Sequence, residues 1–268
     1  MDRSVSTEIG PTIPEHGDGS SPDDDADTLF QRLKKAKTFQ PPRKKAHPNE
    51  LFVMSVRGHP GRRSLPAEKL RMVRRSDPEN QIIIFTSGQF LQRFGTKHER
   101  DLAGCAVIYM PKSDGSGRNP DCIGFSIEER GPNGESFNPN GMRADLRAVV
   151  AALEFKVWSS EGWSKVTIAT DSNYVYDGIT KHIAKWRDEG LLGGKAHNGR
   201  TMKNLDLWTR LLDLINEQAY HGCEVAFWRI WPEQNKQARL VAETMAKRGE
   251  RSEEYRAFGY VNPTYLDD

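Results

Sequence analysis

Between Gln81 and Arg248 the apolar residues change their spacing in a set succession, and this succession constrains the fold more than any single residue. QIIIFTSG (81–88) places a four-residue apolar run before Thr, Ser and Gly, the pattern of a buried central strand ending at a turn. AGCAVIYM (103–110) and CIGFSIEER (122–130), joined by a loop rich in Pro, Gly and Asp, read as two further antiparallel strands. From Ala144 the spacing becomes helical, with Leu146, Val149, Val150, Leu153 and Val157 on one stripe that must face a sheet. KVTIATDS (165–172) returns to strand, and a short helix over 173–180 follows its turn. Residues 205–220 carry a second amphipathic stripe through Leu207, Trp208, Leu211, Leu212 and Ile215. EVAFWRIW (224–231) is a last strand stopped by Pro232, and 234–248 is the closing helix. The expected fold class is α/β, a five-stranded mixed sheet flanked by helices.

The residues before this body have another character. Positions 1–30 hold eight acids and one base, whereas 31–75 hold fourteen Lys and Arg against Glu50 and Glu68. Positions 76–268 hold 24 bases and 27 acids, so the overall net charge of +2 hides a strongly segregated chain. Pro11, Pro14, Pro22, Pro41, Pro42 and Pro48 oppose regular structure there. The expected organisation is a disordered extension over 1–75 (acidic 1–30, basic 31–75), a folded domain over 76–250 and a C-terminal tail over 251–268. One short added strand is expected within Leu51 to Val56. A basic arm of this kind is suited to phosphate affinity or to nuclear import, and a solvated linker is the plain alternative.

Other function classes are narrowed by what the chain lacks. No run approaches 18 apolar residues, so no membrane-spanning helix is expected. The first twenty residues carry no apolar stretch of the secretory kind, which sets the expectation of an intracellular protein. Cys105, Cys122 and Cys223 are widely separated and offer neither zinc-ligand spacing nor a disulfide framework.

Four segments, in order, resemble a type 1 ribonuclease H domain over residues 81 to about 248. NGMRADLRAVVAALE (140–154) is similar to the family's first-helix motif, and IATDSNYVYDGI (168–179) to its fourth-strand motif. HIAKWRDEGL with RTMKNLDLW resembles the basic protrusion and the helix after it, and VAFWRIWPEQNKQARLVAE (225–243) resembles the fifth strand and last helix. The resemblance implies a ribonuclease H-like fold and an activity in which four carboxylates hold two Mg2+ or Mn2+ ions around the scissile phosphate.

At those four positions the chain departs from the pattern. Ser87 stands where the first strand should offer Asp, Asp145 replaces a Glu, Asp171 keeps its acid, and Arg239 replaces an Asp. Asp145 and Asp171 are therefore the remnant catalytic and metal-binding pair. A guanidinium at 239 is unfavourable for a cation by a few kcal/mol at an effective dielectric near 20, in order of magnitude. Arg239 is expected to pair with Asp145 or Asp171 or to contact a phosphate. Glu243 and Glu233 are the candidates for a substitute ligand.

By the same resemblance, Asn204 matches a residue holding a substrate-strand phosphate, with helix N-cap as its structural alternative. Trp186 matches a tryptophan beside the DNA strand, or else packs on its own domain. Lys185 belongs to a basic stretch with Lys181, Arg187, Lys195, Arg200 and Lys203 that suits a phosphate-facing protrusion. Arg143 is expected either to reach a phosphate or to cap the sheet edge. Asn140, Gly141 and Met142 replace the small polar residues expected to read a 2′-hydroxyl. Trp158, Trp163, Trp208, Trp228 and Trp231 are assigned to core and rim packing, and His182, His197 and His221 to the surface.

The function so implied is binding of an RNA/DNA hybrid or related duplex, with hydrolysis lost or much weakened. An active Mg2+-dependent hybrid ribonuclease and a protein-binding scaffold are the alternatives. Mg2+ or Mn2+ is the expected cofactor if the site is active, and none otherwise.

Overall fold

The computed structural model describes residues 36–54, 71–92, 101–111, 121–193 and 202–259. Its centre is β4 (Asp77–Leu91), whose Ile82, Ile83 and Ile84 are fully buried. β7 (Lys165–Thr170) runs parallel to β4 on one edge, followed by β8 (Glu224–Arg229), also parallel. On the other edge β5 (Leu102–Met110) pairs antiparallel with the second half of β4, and β6 (Asp121–Ser126) pairs antiparallel with β5. These are the five expected strands, in a mixed sheet.

Three short strands enlarge the sheet to eight among the described residues. β1 (Ala36–Thr38) runs parallel to β8, and β2 (Phe52–Met54) pairs with β3 (Met72–Arg74), which pairs with the first half of β4. A single turn of helix, α1 (Pro48–Leu51), precedes β2. The added strand expected within 51–56 is thus found at β2, but the boundary at 76 is corrected, because 36–54 and 71–75 belong to the folded body. The reason is burial. Phe39 and Phe52 pack against Trp228 at ring separations of 4.8 and 6.3 Å, and burying a phenylalanine contributes about 1.5–3 kcal/mol. Arg71, counted in the basic block, pairs with Glu161 at 2.8 Å with both side chains buried. Charge density concealed these apolar anchors. Residues 1–35, the acidic block included, lie outside the described residues.

The sheet is covered on both faces. α2 (Gly141–Glu154) and α5 (Leu205–Tyr220) bury Leu146, Val149, Leu211 and Ile215 with Ile82, Ile84, Val166 and Phe227 on one face. α6 (Lys236–Arg248) lies on the other, where Ala238 packs with Ile83, Phe85 and Trp228. Between β7 and α5 come α3 (Asn173–Asp177), a π turn over Gly178–His182 and α4 (Ile183–Asp188).

Several boundaries differ from expectation. β4 does not turn at Ser87 and Gly88 but continues to Leu91, with Gly88 opposite Cys105. Gly88 is there to admit α2, since a Cβ on it would stand 2.2 Å from the Asp145 backbone nitrogen. α2 begins three residues earlier than expected, because the Asn140 side chain accepts from the Arg143 N–H at 2.9 Å and caps it. β6 ends at Ser126, and the last helix starts at Lys236 after a 3-10 turn over Pro232–Gln234.

The segment after α6 docks rather than trailing away. Arg147, 1% exposed, donates to Glu128 at 2.8 Å, Glu154 at 3.2 Å and the Arg256 carbonyl at 2.7 Å, and lies against the Tyr255 ring at 4.4 Å. Residues up to 259 of the expected tail are therefore held on the body. No helix among the described residues is long and apolar enough to cross a membrane.

Candidate nucleic-acid site

Parallel pairing of β4 with β7 sets Thr86 opposite Thr170, so Ser87 and Asp171 emerge side by side at the same end of the sheet. α2 brings Asp145 to this point by packing its first turn on Gly88, whose N–H donates to Asp145 Oδ1 at 2.8 Å. α6 brings Asn235 and Arg239, residues one helical turn apart joined by the Arg239 N–H to Asn235 carbonyl bond of 3.0 Å. The four positions of the carboxylate pattern are thus gathered in one place.

Asp171, whose side chain is 6% exposed, is fully engaged there: Asn235 Nδ2 donates to Oδ1 at 2.6 Å and Arg239 Nη1 donates to Oδ2 at 2.6 Å. Asn235 is itself buried and gives its other amide hydrogen to the Thr86 carbonyl at 2.9 Å. Of the options open to Arg239, the structure takes the pair with Asp171. Asp145 is different. Burial pushes its carboxyl up to about 6, against the lowering effect of the Ser172 hydroxyl and the Gly88 N–H, and the Asp171 charge adds to the rise. Ser87 is buried and neutral, accepting only a long contact of 3.4 Å from Gln89.

This donor set does not fit a pair of divalent cations. Hard cations need several free oxygen lone pairs, and here one carboxylate is clamped by an amide and a guanidinium while a second position offers only a hydroxyl. Glu243, a candidate substitute, pairs with Lys247 at 2.6 Å, and Glu233 is exposed on the 3-10 turn. Among the described residues no group of three or more His, Cys, Asp or Glu is placed to hold a metal.

The remaining expected residues scatter. Arg143, expected either to reach a phosphate or to cap the sheet edge, is found in a buried structural pair: it is 4% exposed, makes a two-pronged bond to Asp206 at 2.7 and 3.0 Å, and lies 3.7 Å from the Phe137 ring centre. Asn204 does not cap α5 with its side chain. Its backbone is left-handed at φ 57°, and its amide bridges Arg143 at 3.3 Å and the Tyr174 hydroxyl at 3.1 Å. Trp186 packs edge-on against Trp208 at 5.2 Å, within its own domain. Lys185 is exposed and 3.6 Å from Glu189 on its own turn. His182 and His221 are exposed, and His197 lies outside the described residues.

Trp231, assigned to packing, is 45% exposed, whereas Trp158, Trp163, Trp208 and Trp228 are buried. The in-and-out alternation of Trp228, Arg229, Ile230 and Trp231, carried two residues past the strand end, is the signal that puts Trp231 outside on the side of Arg229.

The family model for RNase H matches residues 80–246, more than half of the chain. The chain is 39% identical over 83 residues to a ribonuclease H of Anaplasma marginale, covering 31% of this chain and 49% of that protein. It is 40% identical over 73 residues to a ribonuclease H of Novosphingobium aromaticivorans, covering 27% and 46%. The chain spans about half the length of the curated relatives it matches. Among solved structures it is similar to LC9-RNase H1, a type 1 RNase H with the type 2 active-site motif, at 23% identity and a TM-score of 0.44 over 68% of this chain and 79% of that one. From the extent of the family match, the chain belongs to the RNase H family.

Proposed function

We propose that this chain is an RNase H-family nucleic-acid-binding protein whose hydrolytic site has been closed by a guanidinium. The Arg239–Asp171 ion pair at 2.6 Å carries this reading. A cation entering the site must displace a hydrogen-bonded positive charge, at a cost on the order of a few kcal/mol that solvent at the partly exposed Arg239 reduces. The frame that would hold a phosphate strand is retained, with Lys185 and Asn204 on the surface expected to meet it. Lys37, Lys44 and Lys45 are exposed beside the sheet edge and supply nonspecific phosphate affinity. An RNA/DNA hybrid or related duplex is the expected partner.

The test pairs cleavage with binding. Purified full chain is given a labelled RNA/DNA hybrid in Mg2+ or Mn2+, with an Asp145→Asn/Asp171→Asn variant as control for contaminating nuclease. Expected is no cleavage above that control, together with binding that weakens as salt rises. Cleavage lost in the control variant would make the protein an active hybrid ribonuclease. Absence of binding to any nucleic acid at low salt would favour a protein-binding scaffold.

A further inference from the structure

Beyond the remnant tetrad, one exposed group at the same end of the sheet has no role in the family pattern. Trp231 follows β8 and stands 45% exposed, the one tryptophan among the described residues with so much open surface. Its position is fixed by the backbone. The Trp231 N–H donates to Gln234 Oε1 at 2.9 Å, the Gln234 N–H returns to the Trp231 carbonyl at 2.8 Å, and Gln234 Nε2 donates to the Ala46 carbonyl at 3.2 Å. With its backbone held this way, the residue has only its side-chain rotamers left to fix on meeting a ligand.

Positive charge accompanies it. The Arg229 guanidinium lies over the Trp231 ring, 5.8 Å from its centroid, and is steadied by donation to Asn173 Oδ1 at 2.8 Å. Asn173 is two residues beyond Asp171, so the Arg229 platform adjoins the Asp171–Arg239 pair, where Arg239 keeps 42% of its side chain open. Glu233 is the acid nearest in sequence and is exposed on the following turn, outside the ion pairs described.

We infer that Trp231 and Arg229 form a stacking site for an unpaired nucleotide, the indole taking the base and the guanidinium the neighbouring phosphate. Duplex bases are stacked on one another and present only their edges, so an exposed indole surface serves a single strand, an overhang or a frayed end. This rests on the nucleic-acid reading above and narrows it to a junction between duplex and single strand. RNA and DNA share the chemistry, because every base has a stacking face.

The test compares full-chain protein and its Trp231→Ala, Trp231→Phe and Arg229→Gln variants for binding to oligouridylate, oligothymidylate and a blunt RNA/DNA hybrid. Trp231→Ala is expected to weaken single-strand binding by about five- to a hundredfold, with the blunt hybrid changed by less than about twofold. Trp231→Phe should retain most of the affinity, and Arg229→Gln should lower the salt slope by about one. The uridylate and thymidylate arms show which strand is preferred. Single-strand affinity unchanged in both Trp231→Ala and Arg229→Gln, or lost equally for the blunt hybrid, overturns the inference while leaving the broader reading intact. A wild-type chain that binds neither ligand at low salt overturns both. Arg229 is a surface residue, so its variant decides the matter should Trp231→Ala fail to fold.

Discussion

The Gly88 N–H donates to Asp145 Oδ1 at 2.8 Å, across a contact so close that no Cβ would fit on the glycine. The bond fixes where α2 meets β4, and in doing so places a carboxylate out of water. The site therefore contains two acids in opposite circumstances: Asp171 is paired on both oxygens, while Asp145 is held by one N–H and a hydroxyl under a desolvation penalty.

That difference gives a pH dependence. The Asp145 carboxyl is raised from its ordinary range to about 6, so the folded state binds a proton more readily than the unfolded one. The contribution to stability is present below the unfolded value near 4 and is lost as pH rises through about 6. Asp145→Asn keeps an oxygen for the Gly88 N–H and removes the buried charge. It should stabilise the protein at pH 7 by about 1–3 kcal/mol, with the gain vanishing toward pH 4. Urea unfolding of both proteins at several pH values reads this directly, and a gain that does not depend on pH would remove desolvation as its cause.

Restoring the missing acids should restore a cation's effect. Ser87→Asp/Arg239→Asp puts carboxylates back at both departed positions and removes the guanidinium from Asp171, leaving the Asn235 amide in place. Without a metal the crowded acids repel, so the double variant should melt below wild type. Added Mg2+ should raise its melting temperature, by linkage, far more than that of wild type. Hybrid cleavage in Mg2+ is the second readout. A double variant as indifferent to Mg2+ as the parent would mean that Arg239 is not what closes the site.

The order of strands and helices was legible because apolar periodicity is a local property, and each of the five main strands and both long amphipathic helices announces itself within its own residues. β1 and β3 were not, since three-residue strands amid Lys, Arg and Pro show no period, whereas β2 falls within the short strand expected over 51–56. The site was legible as a set of positions and not as a set of bonds. Ser87, Asp145, Asp171 and Arg239 were all named from sequence, but whether Arg239 meets Asp145 or Asp171 depends on how α6 crosses the sheet. Arg143 misled for the same reason: its partner Asp206 is 63 residues away. Trp231 was grouped with the other tryptophans because composition does not distinguish a buried indole from an exposed one.

Arg143 and Asp206 are 4% and 2% exposed in their side chains, so neither charge can turn to water when the other is removed. Arg143→Ala should cost about 3–5 kcal/mol, most of it from the carboxylate left behind. The double change with Asp206→Ala should cost less than that single change, and the loss should persist at high salt, where exposed pairs are screened. A single-variant cost below about 1 kcal/mol, the value typical of a surface pair, would contradict the buried arrangement.

Arg147 binds the C-terminal segment as well as the core. Its guanidinium is shared among Glu128, Glu154 and the Arg256 carbonyl, and Tyr255 donates its hydroxyl to Glu154 at 2.7 Å, so one cation joins α2, the loop after β6 and residues 251–259. Arg147→Ala leaves Glu128 buried without its counter-charge and Glu154 with Arg210 alone, at 2.9 Å, and a loss of about 3–5 kcal/mol is expected. The docked segment should release with it, because Tyr255 and Phe258 lose the cation their rings contact at 4.4 and 5.1 Å. Limited trypsin digestion under native conditions distinguishes release from mere weakening. In wild type Arg251 is tied by its side chain to the Ile127 carbonyl at 3.2 Å and should resist cleavage, whereas in Arg147→Ala it should be cut well before the body. Equal protection of Arg251 in both proteins would mean that the segment is held without Arg147, by the Phe125–Phe258 ring contact and the Glu129 and Arg130 N–H bonds to the Ser252 and Glu253 carbonyls.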